Sequence, residues 1–457
     1  MKGNYRHMWY KLRLNLNKLT PAQVIVTYYL LAVTIATILL SLPIAHKPGA
    51  EWSFLDAIFT AVSAVSVTGL TVVSTVDTFS TTGIFILMFV LQFGGIGIMT
   101  LGTFFWLIVG KKIGLKERRL IMTDQNQTSL AGLVSLLKQI LLLIILIEIV
   151  GAFILGVYFI GYFPTWQEAF LQGLFASVSA TTNAGFDITG QSLIPYANDY
   201  FVQFITIVLL TLGAIGFPVL IETKDYLMSS HRNRHHFSLY SKITTVTFFS
   251  LLVIGTLIIF LFEYNRYFNG MQWHESFFYS FFQSATTRNG GLATMNVAEF
   301  SSPTLLVMSA LMFIGASPSS VGGGIRTTTF ALNILFLFHF AKGNQTIKIF
   351  KREIHQQDII KSLVVTMMAI FLCFFSVIIL TFTEDHSLME IVFEVASAFG
   401  TTGLSMGITS ELSSIGKCVI IGLMFIGRVG ILSFLFMIGG KEKKDKYHYP
   451  KERVIIG

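Results

Sequence analysis

The sequence predicts an all-α integral membrane protein: four tandem helix–pore-helix–filter–helix repeats around one pseudo-fourfold pore, with eight transmembrane helices and four re-entrant pore helices. Three observations carry that expectation. Apolar residues make up 53% of the 457-residue chain and charged residues only 12%, with a mean hydropathy of +0.69; soluble domains carry about one quarter charged residues. One phrase recurs four times, as Ser63-Ala64 with Gly69, Ser179-Ala180 with Gly185, Ser284-Ala285 with Gly290, and Ser397-Ala398 with Gly403. Those glycines are 116, 105 and 113 residues apart, a near-constant period that marks a repeated architecture. Finally, basic residues cluster at 2–18, 111–119, 232–242, 342–361 and 441–453, which is every second connection between apolar runs. That alternation puts these connections and both termini on the cytoplasmic side. The net charge of +8 resides there and not on a soluble basic domain, so no nucleic-acid partner is expected.

Each repeat reads as a long helix, a short helix, an extended filter and a second long helix. The first repeat (1–110) spans at 22–44, dips at 52–65 and returns over 78–109. The run at 24–44 is long enough to cross, with a poor cleavage pattern at Pro43 and Ala45, so it reads as mature fold and not as a signal peptide. The second repeat (111–230) spans at 131–160, dips at 166–180 and returns over 200–228. The third (231–341) uses 242–263, 273–285 and 303–338, and the fourth (342–440) uses 358–383, 388–398 and 413–438; a short charged tail, 441–457, follows. The dipping segments are too short to cross a hydrocarbon core about 30 Å thick, and are therefore re-entrant. Cys373 and Cys418 sit inside apolar runs and read as core packing, with no disulfide implied.

A polar, glycine-centred stretch at membrane depth needs protein or a water-filled cavity around it. Four of them can surround one axis. The candidate filter residues are Val67, Thr68 and Gly69; Asn183, Ala184 and Gly185; Arg288, Asn289 and Gly290; and Thr401, Thr402 and Gly403. Glycine permits backbone conformations that turn carbonyls towards a common axis, where they replace an ion's hydration shell. The alternative is that the phrase supplies only small residues for helix packing.

With these motifs the chain resembles the Ktr/Trk/HKT superfamily of potassium transporters, most closely the membrane subunit of bacterial Ktr systems, over essentially its whole length. The resemblance implies a channel-like pore folded from one polypeptide in the bacterial cell membrane, with K⁺ as the transported ion held at filter carbonyls and Na⁺ as an activator. It further implies a homodimer seated on a cytosolic ring of nucleotide-binding, RCK-type regulatory subunits. In that superfamily a glycine in all four filters goes with K⁺ selectivity, and Gly69 places this chain in that class. Passive and Na⁺-coupled flux both fit the residues. Arg288 is expected behind the filter, paired with an acid.

The second constellation, Gly315-Ala316-Ser317-Pro318-Ser319-Ser320-Val321-Gly322-Gly323-Gly324-Ile325-Arg326-Thr327, interrupts the last helix of repeat three. Proline and three consecutive glycines cannot hold a regular helix. A gate and a structural kink both fit; the resemblance assigns a gate. No equivalent interruption is expected in the other repeats. Arg428 is a lone intramembrane cation, a functional candidate by default, which the resemblance sets against the gating loop. Glu148 is expected to pair within the bundle. Asp77, Asp187, Glu299 and Glu411 follow the filters, where they could concentrate cations; Asp77, Glu299 and Glu411 equally suit first-turn positions of the helices that follow. The chain has no Walker A motif, no dinucleotide fingerprint and no nucleophile–base or metal-ligand cluster, so it is not expected to be an enzyme. The competing reading is an alternating-access, cation-coupled secondary transporter. Such folds show inverted repeats with broken helices at corresponding positions.

Overall fold

Residues 20–97, 132–229, 236–344 and 346–439, with isolated positions between 100 and 122 and between 447 and 452, are described by a computed structural model. The basic clusters at 2–18 and 441–453, and most of 111–119, lie outside the described residues, as does the expected helix beyond residue 97.

Helix starts are written into the sequence. Thr20 and Gln23 form a capping box for α1 (Pro21–Leu40). Ser53 caps the short α2 (Phe54–Val65), and α3 (Thr81–Ile96) returns from a Ser80 cap. The next three are α4 (Leu133–Phe159), α5 (Trp166–Thr181) and α6 (Tyr200–Ala214), the last running into α7 (Phe217–Met228). They are followed by α8 (Leu239–Glu263), α9 (Trp273–Thr286), α10 (Ser302–Phe313) and α11 (Thr327–Ala341). The chain closes with α12 (Gln356–Thr383), α13 (Leu388–Gly400), α14 (Ser414–Val429) and α15 (Ile431–Gly439). The connection before α12 holds a small antiparallel hairpin, β1 (Lys348–Ile349) against β2 (Arg352–Glu353), which the all-α expectation omits.

Helices α1, α4, α8 and α12, the first in each of the four segments expected from the sequence, are 20 to 28 residues long and apolar enough to cross a membrane. Their outer faces expose large apolar side chains such as Leu142, Leu146, Phe153, Leu261 and Phe371. That is the pattern of helices surrounded by lipid. The short helices α2, α5, α9 and α13 have 12 to 16 residues, about 18–24 Å at 1.5 Å per residue, and cannot cross. Each carries an acid in its first turn: Asp56, Glu168, Glu275 and Glu390. The positive helix end is thereby compensated, while the negative carboxyl end is left to act at the centre. Lys417 of α14 pairs with Asp56 of α2 at 3.0 Å, joining the last unit to the first.

Two expectations need correction. Cys418 is exposed, and only Cys373 packs partly buried. More consequentially, the interruption in unit three is not singular. The α6–α7 pair bends by 105° and the α14–α15 pair by 101°. The pivots are Gly216 (φ 105°) and Gly430 (φ 88°), and α3 stops at Gly97 with φ 94°. At the α6–α7 bend Gly216 is followed by Pro218 in the first turn of α7, whereas the α14–α15 bend turns at Gly430 without a proline.

Glu148 does pair within the bundle: Gln92 Nε2 donates to its Oε2 at 2.6 Å, joining α3 to α4. The acids after the filters organise short turns. Asp77 lies in a single turn capped by Ser74, and Glu299 and Glu411 end 3₁₀ turns. Asp187 Oδ2 accepts from the N–H groups of Thr189, Gly190 and Ser192.

Candidate ion-conducting site

The four short helices end at the same place. The Ser-Ala phrase closing each one is buried, and its serine or a neighbouring hydroxyl braces the loop that follows. Ser63 Oγ accepts from Gly69 N–H and Ser397 Oγ from Gly403 N–H, both at 3.1 Å. Ser179 Oγ donates to the Phe186 carbonyl at 2.6 Å. In unit three Ser284 turns instead to the Leu252 carbonyl of α8, and Thr286 Oγ1 donates to the Leu292 carbonyl at 2.6 Å.

Beyond the brace, a residue with positive φ precedes each centre: Val67, Asn183, Asn289 and Thr401, at 55°, 53°, 67° and 52°. Two residues later comes a glycine, also at positive φ: Gly69, Gly185, Gly291 and Gly403. These four close a ring. A methyl group on Gly69 would stand 2.9 Å from Gly185 Cα, and one on Gly185 2.9 Å from Gly291 Cα. One on Gly291 would stand 3.4 Å from Gly403 Cα, and one on Gly403 3.1 Å from Gly69 Cα. Only glycine meets both the conformation and the spacing.

The third member is therefore Gly291, not Gly290 as the Ser-Ala spacing predicts. Unit three carries seven residues from its serine to its ring glycine, against six in the others. The missed signal is the next residue: Leu70, Phe186, Leu292 and Leu404 each follow a ring glycine and are all buried, whereas Gly290 is followed by glycine. Thr68, Ala184, Gly290 and Thr402 are the residues between.

The extra residue also explains Arg288. Its side chain is fully buried behind the ring and donates through Nη2 to the Leu311 carbonyl of α10. Among the described residues no carboxylate lies within ion-pair reach of it. The expected acid partner is a carbonyl; the strut position stands.

The loop between α10 and α11 lies against the inner end of the ring, the end marked by the positive-φ residues. Its glycines are needed for close approach. A methyl on Gly322 would lie 2.5 Å from Asn289 Cγ, one on Gly323 2.6 Å from Thr401 Cγ2, and one on Gly324 3.1 Å from Gly400 Cα. Gly315 faces Gly323 across the loop, and Ala316 N–H donates to the Gly323 carbonyl at 3.2 Å. Tyr240 Oη donates to the Pro318 carbonyl at 2.5 Å, and Ser320 Oγ to the Ser317 carbonyl at 2.6 Å.

The loop also satisfies backbone groups that the helix bends set free. Ser317 N–H donates to Ala214 O (3.0 Å), Val321 N–H to Gly213 O (3.3 Å), and Ser319 O accepts from Phe217 N–H (2.8 Å), all at the α6–α7 bend. Gly324 N–H donates to Gly427 O at 3.2 Å, at the α14–α15 bend. Arg428 completes the set. Its Nη1 donates to the Val321 carbonyl, its Nη2 to the Gly94 carbonyl of α3, and its Nε to Tyr29 Oη at 2.9 Å. A cavity of about 120 Å³ adjoins the loop, lined by Tyr29, Gly97, Ser320, Arg326, Arg428 and Gly430 among others.

A family model described as a cation transport protein, TrkH, matches residues 10–447. The chain belongs to the TrkH cation transport family. Over 439 residues it is 67% identical to the Ktr system potassium uptake protein D of Bacillus subtilis, covering 96% of this chain and 98% of that one. Identity is 36% over 444 residues to the Ktr system potassium uptake protein B of the same organism, covering 96% and 97%. It is 33% over 452 residues to the potassium/sodium uptake protein NtpJ of Enterococcus hirae, covering 96% and 98%. Among solved structures, the potassium transporter TrkH from Vibrio parahaemolyticus matches with a TM-score of 0.69 at 21% identity, covering 90% of this chain and 84% of that one. That match shows the shared TrkH fold. The matched relatives are transporters, and the chain is a multi-pass membrane transporter, not an enzyme.

Proposed function

We propose that this chain is the K⁺-translocating membrane subunit of a regulated uptake system. The closed ring of four positive-φ glycines at the carboxyl ends of four short helices carries the reading. Buried helix carboxyl ends favour a cation at the centre, and a backbone ring replaces its hydration shell. The filter is Val67-Thr68-Gly69, Asn183-Ala184-Gly185, Asn289-Gly290-Gly291 and Thr401-Thr402-Gly403. Loop 315–327 is the gate and Arg428 its latch. The names of the relatives, two of them Ktr potassium uptake proteins and one a potassium/sodium uptake protein, support K⁺ as cargo and Na⁺ as activator.

On this reading the chain divides at 110, 230, 341 and 440 and lies in the bacterial cell membrane with both termini cytoplasmic. It pairs as a homodimer on a cytosolic nucleotide-binding ring, because no nucleotide motif occurs in the chain itself.

The alternating-access reading gains one observation, the paired bends of 105° and 101° in units two and four. The ring, however, is built from the short helices and not from the bent ones, which favours a pore. The test is rescue of a K⁺-uptake-deficient bacterium at low K⁺, with and without Na⁺. Growth restored by the chain with its cytosolic partner is the expected result. Failure to rescue with the protein present in the membrane refutes the assignment.

A further inference from the structure

The inner end of the ring contains a chain of hydrogen bonds that passes from wall to wall. Asn183 Nδ2 donates to the Arg288 carbonyl of the third wall at 3.3 Å. Asn289 Nδ2 in turn donates to the fourth wall, to Thr401 O at 3.1 Å, to Thr401 Oγ1 at 3.0 Å and to the Gly400 carbonyl. The next link does not go to the first wall, where the equivalent residue is Val67 and has no polar side-chain atom. Instead the Thr401 hydroxyl oxygen accepts the N–H of Gly323, in the loop, at 2.8 Å. All these side chains are fully buried.

Thr401 is β-branched and held at φ 52°, a conformation such residues rarely adopt and which persists only where the surroundings impose it. Among the described residues its hydroxyl oxygen is the one side-chain atom that accepts hydrogen bonds from both the loop and the third wall. Taking the pore reading above as its premise, we propose that Thr401 is a positioning residue through which the loop holds the inner end of the filter. Displacing the loop then does two things: it clears the path, and it releases the third and fourth walls. Ion preference is thereby tied to the state of the loop.

Thr401→Val is a clean perturbation, because Val67 already occupies the same backbone conformation in the first wall. It removes the shared acceptor and keeps the shape. Thr401→Ala is a second hydroxyl-free variant in case the first does not assemble. The readout is K⁺/Na⁺ preference in reconstituted full-length protein with its partner, measured in the intact chain and in chains lacking 317–324 or, more conservatively, 322–324. We expect Thr401→Val to shift the preference at least about threefold in the intact chain and to add nothing where the loop is absent, since coupled residues are non-additive. Thr401→Ser, which keeps the hydroxyl, should restore the wild-type preference. An equal shift in both backgrounds, or none in the intact chain, overturns the coupling. Gly185→Ala separates the two readings: if it too leaves preference unchanged, the filter assignment fails and the coupling falls with it.

Discussion

Arg428 gives the sharpest test of the gate. Its guanidinium ties three elements together: the loop through Val321, α3 through Gly94, and α1 through Tyr29. A hydrogen bond to a charged group contributes about 1.5–3 kcal/mol. Arg428→Met keeps an unbranched, flexible but shorter and neutral side chain and removes the bond to Val321, leaving that carbonyl unsatisfied while the loop stays in place. Removing a buried charge also changes total stability, but that change is common to both loop positions and cancels in their ratio. The closed arrangement should therefore lose about 1.5–3 kcal/mol relative to the open one, a shift of about 10- to 150-fold in their ratio.

The assay is K⁺ flux in proteoliposomes at matched protein density. Flux through Arg428→Met should rise towards that factor, up to the point where the loop is mostly open. Arg428→Lys distinguishes latch from barrier. Lysine preserves the charge but not the planar fork that reaches Val321 and Gly94 together. A latch makes Lys resemble Met; a purely electrostatic barrier makes Lys resemble wild type. Slower flux in a well-assembled Arg428→Met would refute the latch.

Three further outcomes follow from the same geometry. Gly291→Ala places a side chain at φ 70° and against the Thr402 carbonyl, a conformational cost of about 1–2 kcal/mol before any clash; K⁺ uptake should weaken about tenfold or more, while Gly422→Ala, with no atom near the new methyl, should leave it unchanged. Glu384, just beyond α12, accepts from the Ser413 N–H at 2.8 Å and the Ser413 and Thr383 hydroxyls at 2.6 and 3.0 Å; burial opposes its charge, yet these donors prevail and hold its carboxyl below the usual 4.5. The stability it adds is thus fully present above that pH and lost as pH falls through the lowered value, so the melting difference between wild type and Glu384→Gln should shrink on acidification, and a constant difference would count against it. Gly216→Ala puts a methyl 2.8 Å from Tyr240 Oη and 3.0 Å from the Pro318 carbonyl; flux should rise because the loop loses its seat, and reduced flux would show the bend to be support alone.

What the sequence made legible was whatever is stated by residue type at fixed spacing. Ser53, Thr165 and Ser387 announce the short helices, and the Ser-Ala phrases announce where they end. Proline with three glycines announces the loop. The rest depended on register and three-dimensional approach. Gly290 satisfies the spacing rule and Gly291 the geometry, because one extra residue in unit three is absorbed where Arg288 turns back towards Leu311. The helix bends stayed hidden for a different reason. Gly94-Gly95-Ile96-Gly97, Gly213-Ala214-Ile215-Gly216 and Gly427-Arg428-Val429-Gly430 share one pattern. In each, the first glycine presses on a carbonyl near its own short helix's end, at Val65, Thr181 and Phe399, and the last has a positive φ. Inside an apolar run such a pattern reads as ordinary helix packing. Unit three departs from this pattern: Gly315 faces Gly323 of its own loop, and the break there is enlarged into a loop.

If loop 315–327 is the gate proposed above, the neighbouring bends constrain how it can open. A helix that bends in the membrane strands carbonyls that lipid cannot satisfy. Here those at Gly213, Ala214 and Gly427 are met by the loop's N–H groups and that at Gly94 by Arg428. Each backbone bond contributes about 0.5–1.5 kcal/mol, and leaving the group buried and unpaired costs about 1–3 kcal/mol. The loop therefore cannot be lifted away alone, because its departure would orphan acceptors at two bends. Either water follows it into the cavity beside Arg428, or α7 and α15 shift with it so that the stranded groups find new partners. Both helices lead towards cytoplasmic connections on the proposed topology. A cytosolic partner that moves α7 or α15 would thus act on the gate through the hydrogen bonds at the bends, without touching the loop itself.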